Sequence, residues 1–115
     1  MSSKKTDKKN TTEKSFMAVV RRIAKEKGWR VYHPAISLHP TERGYPDLTL
    51  VRERVIFAEL KTDNGTLTET QVEWINALRL AGQEVYVWRP CQIEDIIAIL
   101  STWKHRDKDE LVLTG

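Results

Sequence analysis

Cysteine is nearly absent from this 115-residue chain. The single Cys91 rules out an internal disulfide framework and fits a reducing compartment. Three histidines and that one thiol are scattered along the sequence, so the clustered Cys/His ligands of a zinc site are missing too. No apolar run is long enough to cross a bilayer. The polar, lysine-rich start has no apolar segment behind it, which argues against a secretory signal and for a cytoplasmic protein. There is no internal repeat. What remains is a chain 40% hydrophobic, enough for one core and one domain.

Charge is uneven. The net charge is +3, and residues 1–14 account for all of it, with Lys4, Lys5, Lys8, Lys9 and Lys14 against Asp7 and Glu13. Residues 15–31 are basic again, with Arg21, Arg22, Lys25, Lys27 and Arg30 against Glu26 alone. A lysine arm followed by a basic helix suits a polyanion such as nucleic acid, with Lys14, Arg21 and Arg22 as candidate contacts. The same charges also suit a solvated tail and an ordinary soluble helix face.

Hydrophobic spacing divides the chain. Residues 1–12 are low in apolar content and read as a disordered arm. Phe16, Val19, Val20, Ile23 and Ala24 then mark an amphipathic helix over 13–27, ended by Gly28. A short strand over 29–33 stops at Pro34, and a Pro-rich loop fills 34–46. After a hairpin, a helix beginning at Thr68 places Val72, Ile75 and Leu78 on its apolar stripe. A strand over 85–88 and a last helix through Ile93, Ile96, Ile97 and Leu100 follow. Apolar surroundings make Trp29, Trp74, Trp88 and Trp103 candidate core residues. The order is α-β-β-β-α-β-α. It predicts an α/β fold with a four-stranded mixed sheet flanked by helices, its third and fourth strands parallel through a right-handed crossover. Residues 13–104 form the expected domain, and 105–115 a charged and apolar tail.

The hairpin, GYPDLTLVRERVIFAELK, carries the chemistry. Its arms alternate apolar residues about a charged apex at Arg52, Glu53 and Arg54. Symmetric pairing about Glu53 sets Val51 against Val55, Thr49 against Phe57, and Asp47 against Glu59. Directly opposed residues hold their Cβ atoms roughly 4.5–5.5 Å apart, where like charges destabilise. A cation would relieve that repulsion. Lys61 returns to the face of Glu59 by the period of two. Two acids and a lysine on one face suit metal-dependent attack on a phosphodiester, and oxygen ligands suit a hard cation such as Mg²⁺.

Pro46-Asp47, eleven intervening residues and Glu59-Leu60-Lys61 together resemble the PD-(D/E)XK nuclease signature. The wider stretches GWRVYH (28–33), GYPDLTLV (44–51), FAELK (57–61), GTLTETQVEWINALRLAG (65–82) and VYVWRP (85–90) resemble the virus-type replication-repair nuclease family, VRR-NUC. The resemblance covers roughly residues 13–100. It implies a restriction-endonuclease-like core and a divalent-metal-dependent DNA endonuclease using Mg²⁺ or Mn²⁺. Small standalone members occur in phages and bacteria and are similar to Holliday-junction resolvases. By that likeness the chain is expected to form a homodimer and to act on branched DNA.

The resemblance also assigns roles. Asp47 and Glu59 are implied metal ligands, joined by the carbonyl of Leu60 and by the helix acid Glu13. Lys61 and Gln71 are the implied catalytic partners of the two acids, and His33 is a candidate contact to the phosphate or a water. Each has a plainer reading. Asp47 could cap its loop, Glu59 could be an exposed strand end, and Lys61 could pair with Asp63. Glu13 could favour the helix dipole, His33 could simply end its strand, and Gln71 could close a capping box with Thr68.

Overall fold

The computed structural model describes residues 12–34 and 43–104. The expected arm, apart from Thr12, the Pro-rich loop from 35 to 42 and the tail 105–115 lie outside the described residues.

Helix α1, Glu13–Glu26, starts on a capping box that its sequence spacing did not advertise. Thr12 Oγ1 accepts from the Ser15 N–H at 3.0 Å, and Ser15 Oγ accepts from the Thr12 N–H at 3.2 Å. Its apolar stripe buries Phe16, Val20 and Ala24. Strands β1 (Arg30–Tyr32), β2 (Leu48–Val51) and β3 (Val55–Leu60) form an antiparallel meander. Helix α2 (Glu69–Leu80) then crosses to β4 (Glu84–Trp88), which pairs with β3 in parallel. A short 3₁₀ turn, Pro90–Gln92, leads into α3, Ile93–Ser101. The order α-β-β-β-α-β-α and the mixed sheet β1-β2-β3-β4 are those expected from the sequence.

The pleat separates two faces. On one, Leu48, Leu50, Ile56, Ala58, Leu60 and Trp88 pack with the stripes of α1 and α3 and with Trp29. Each fully buried large apolar side chain there contributes about 1.5–3 kcal/mol. On the other face a smaller aromatic group sits under α2. Tyr45 meets Trp74 and Phe57 edge-on, with ring centroids 5.0 and 6.4 Å apart. The stripe expected on α2 is narrower than its spacing suggests: Ile75 is buried, but Val72 is exposed.

Trp103, expected in the core, and Arg52, at the charged apex of the hairpin, pair with each other. Trp103 is 65% exposed, because it lies over the Arg52 guanidinium at 3.8 Å and not in the core. Arg52 also stacks on Trp29 at 4.5 Å. It donates to the carbonyls of Lys27, Leu100 and Thr102 at 2.8–2.9 Å, tying the ends of α1 and α3 to the hairpin tip. Glu53 bridges Arg52 and Arg54, and Arg54 reaches Glu84 at 2.8 Å. Burial pushes the Glu53 carboxyl up, but hydrogen bonds from Arg52, the Lys104 N–H and Arg54 outweigh it and hold the group at about 2.

Replacing Arg52 with Ala leaves the Lys27 carbonyl without its side-chain donor, while Glu53 keeps Arg54 and the Lys104 N–H, and the Leu100 and Thr102 carbonyls keep Trp29 Nε1 and Arg54 Nη1. The expected loss is about 1.5–3 kcal/mol, the scale of a hydrogen bond to a charged group. Arg52→Lys should recover little of it, since an ammonium lacks the planar fork. Urea unfolding of the two variants beside the parent measures both.

Candidate functional site

The site is built where the hairpin stops pairing. Backbone groups of even-numbered β3 residues point toward β2, and those of odd-numbered ones toward β4. The Arg52 N–H donates to Arg54 O at 3.0 Å across the hairpin, and the Lys61 N–H donates to Trp88 O at 3.0 Å on the other side. By this alternation Leu60 should exchange bonds with residue 46. Residue 46 is proline, with no N–H to give the Leu60 carbonyl. The ladder ends at Leu48 opposite Ala58. Asp47 closes the gap from its side chain, with Oδ2 accepting the Leu60 N–H at 2.9 Å. The pairs Val51–Val55 and Thr49–Phe57 form as expected, while Asp47 lies one residue beyond the strand.

Glu59 stands beside it, only 2% exposed, so the exposed strand-end reading is wrong for this residue. Desolvation, the charge and close approach of the Asp47 carboxyl, and the more distant Glu13 push its carboxyl up to about 8, against the opposing charge of Lys61. One oxygen, Oε2, accepts from Gln71 Nε2 at 2.9 Å. The other, Oε1, is buried without a hydrogen-bond partner. An orphaned carboxylate oxygen next to a second acid and a carbonyl deprived of its ladder donor is a hard oxygen donor set. It fits a small divalent cation that keeps several of its waters. Among the described residues, however, no group of three or more Asp, Glu, His or Cys side chains converges into a metal cage. Glu13 reaches Glu59 through its field and not as a third member of such a cluster.

Lys61 is 8% exposed and makes no ion pair among the described residues; the pairing with Asp63 does not form. Asp63 instead accepts the Cys91 N–H at 2.9 Å. The turn after Lys61 is held by Arg89, whose Nη1 donates to the carbonyls of Thr62 and Gly65 at 2.6 and 2.7 Å. Only the structure reveals that role, because Arg89 is 27 residues away from Thr62.

Gln71 resolves two readings that looked exclusive. Its Oε1 accepts the Thr68 N–H at 2.9 Å, and its own N–H donates to Thr68 Oγ1 at 3.2 Å, which completes the capping box. The free amide nitrogen of the same side chain is what reaches Glu59. Gly44 lets this turn come close. At φ +90° its missing Cβ would lie 2.4–2.7 Å from backbone atoms of Thr70 and Gln71. His33 Nδ1 donates to the Asp47 carbonyl at 2.9 Å, which leaves Nε2 of the neutral ring as an acceptor. Lys14 and Arg22 are exposed on α1 and Arg21 is half-buried there. None of the three hydrogen-bonds to a site residue.

Comparison with known proteins agrees with this fold. The VRR-NUC domain family matches residues 9–90. The chain belongs to that family. A solved structure described as a VRR-NUC domain protein superposes with a TM-score of 0.64 at 23% identity, covering 78% of this chain and 85% of that one. At that identity the likeness speaks for the fold. No curated protein matches the chain in sequence. VRR-NUC is a nuclease-family domain, so membership supports a nuclease with a DNA substrate and, in general terms, a divalent metal. No helix among the described residues is long and apolar enough to cross a membrane.

The raised Glu59 carboxyl makes the metal-free VRR-NUC domain sensitive to pH. A group whose folded pKa lies above its unfolded value stabilises fully below the unfolded value. That contribution is lost as pH rises from about 4.5 through about 8. In EDTA the melting temperature should therefore fall across this window more steeply than in Glu59→Gln. Parallel slopes for the two proteins would show that Glu59 titrates normally.

Proposed function

We propose that this protein is a divalent-metal-dependent DNA endonuclease that hydrolyses phosphodiester bonds at branched structures such as Holliday junctions. The observation that carries it is the buried Glu59, with one oxygen unpartnered, between Asp47 and Lys61. On this reading Asp47, Glu59 and the Leu60 carbonyl would hold Mg²⁺ or Mn²⁺, with Glu13 nearest to a further position. Such an ion, when bound, lowers the pKa of a water and neutralises charge on the phosphate.

The chain's own groups do the rest. Asp47 is braced by the Leu60 N–H, and Glu59 is aimed by Gln71, so both acids are fixed before substrate arrives. Lys61 sits in a dry, nearly buried position. There its ammonium would stabilise the charge that develops on the phosphoryl oxygens. His33 Nε2, turned outward by the bond at Nδ1, is available to a water or to the leaving strand. Lys14, Arg21 and Arg22 supply backbone contacts that carry no base sequence. Junction cutting needs two sites and one chain holds one, so a two-fold homodimer follows from that substrate. The single Cys91 suits a reducing interior such as the cytoplasm, and the likeness to small standalone family members suggests a bacterial or phage origin.

The same residues would also serve a flap nuclease or a nickase. A binding protein that has lost catalysis is disfavoured, because a site built only for binding has no need of the repulsion at Glu59. Cleavage of a labelled four-way junction, a flap and a linear duplex in Mg²⁺, Mn²⁺ and EDTA decides among them. Junction cutting by a dimer is expected, and equal cutting of all three by a monomer would remove the junction preference.

EDTA, Asp47→Ala and Glu59→Ala should each abolish cleavage. Lys61→Ala should do so while metal titration by calorimetry stays near the parent, because its work is in the transition state.

Gln71→Ala should lose both of its roles. The cap is worth about 1 kcal/mol in urea melts. Single-turnover cleavage per folded molecule should also drop, as Glu59 loses its one hydrogen-bond donor. A stability loss with unchanged turnover would leave Gln71 as a cap alone.

A further inference from the structure

Among the described residues, the face of the sheet that carries Glu59 continues uncovered to the β1 edge. Register fixes this: Tyr32 lies opposite Thr49, which lies opposite Phe57, and Arg30 lies opposite Val51, which lies opposite Val55. Residues in such ranks share a face, and Asp47 and Glu59 occupy the next rank toward the open end of the hairpin. Helix α2 shields the β3–β4 side of this face, where Trp74 and Tyr45 gather at Phe57. Over β1 and β2 no described element covers it. Tyr32 is 63% exposed, Val51 and Val55 are exposed, and Arg30 is exposed beside them. Among the described residues, Tyr32 makes neither a ring contact nor a side-chain hydrogen bond.

We infer that Tyr32 is a stacking platform for an unpaired base beside the scissile phosphate, with Arg30 on the adjoining backbone. The inference rests on the nuclease reading and narrows its substrate to DNA with an unstacked nucleotide at the cut. Strand spacing and rise place Tyr32 about 12 Å from Glu59, a step or two along an extended strand. A flat aromatic fixed on a strand accepts any base, since every base has a π-face. In an intact duplex both faces of a base are already stacked, so Tyr32 gains nothing there. At a branch point, a gap or a flap one face is free. The neighbouring cation matches the phosphates that flank such a base, which separates this surface from a purely apolar contact with another protein.

The test uses the full chain in EDTA, so that binding is read without cleavage. The probe is 2-aminopurine at the unpaired position of a gapped duplex, with an intact duplex of equal length as control. Wild type and Tyr32→Phe should quench the probe by stacking. Tyr32→Leu keeps apolar bulk but has no π-face. It should lose the quenching and bind the gapped DNA about 5- to 140-fold more weakly. Its affinity for the intact duplex should stay within about twofold. Equal quenching and affinity in Tyr32→Leu, with wild type still cutting DNA in Mg²⁺, would overturn the platform and leave the nuclease standing. Wild type that neither binds nor cuts DNA would overturn both. A wild-type dimer that dissociates in Tyr32→Leu by sedimentation would assign this face to a second copy of the chain instead.

Discussion

The structure turns on burying the carboxylate of Glu59. An acid taken out of water next to another acid is expensive, and the rise of its pKa to about 8 expresses that cost. Three separate parts of the chain hold it there. The β3–β4 ladder fixes its backbone, running past it to the Lys61 N–H two residues on. The first turn of α2 supplies Gln71. The loop before β2 brings Asp47 and, through Gly44, lets that turn sit closely enough for the amide to reach. A side chain at residue 44 would drive the helix start away by its collision with the Thr70 and Gln71 backbone, and the support for Glu59 would go with it.

The two ends of the hairpin are opposites in electrostatic terms. At the apex every charge is answered: Glu53 lies between two guanidiniums, and Arg52 satisfies three carbonyls and two indole faces. Burial pushes the Glu53 carboxyl up as it does that of Glu59, but hydrogen bonds from its partners hold Glu53 at about 2. At the open end one acid has a single amide donor and a lysine at the level of field only. Stability concentrated at one end thus tolerates a frustrated cluster at the other. That division is expected where a site must be stiff and unsatisfied at once.

Much of this was legible in the residues, and the misses have physical reasons. The helices and strands came from periodicity, and the facing of Asp47 and Glu59 from the symmetry of the hairpin about Glu53. Period two cannot show that Pro46 breaks the ladder before those acids pair, because a missing N–H matters only once the register is known. A capping box and a contact to Glu59 looked like rivals for Gln71, yet an amide has an acceptor and a donor end, and each is used. Trp103 misled because an apolar neighbourhood in sequence says nothing of a guanidinium approaching from 51 residues away. The turn anchored by Arg89 was out of reach for the same reason.

Frustration at Glu59 also links folding to ligand on the proposed reading. A cation bound to the native site and not to the unfolded chain adds about 2.7 kcal/mol at a hundredfold excess over its dissociation constant. It would also offset the burial and the repulsion from Asp47 that lift the Glu59 pKa, so the carboxyl would ionise at ordinary pH and the stability lost between about 4.5 and 8 would return. Gln71 gains a second meaning in that state. With Oε2 held by its amide, Glu59 cannot swing both oxygens outward, and only Oε1 is left to face a ligand. One oxygen from Glu59, one from Asp47 and one carbonyl would leave half of a six-coordinate shell to water and substrate. An ion so held would rely on the phosphate for completion, which would tie its tightest binding to the moment DNA is bound.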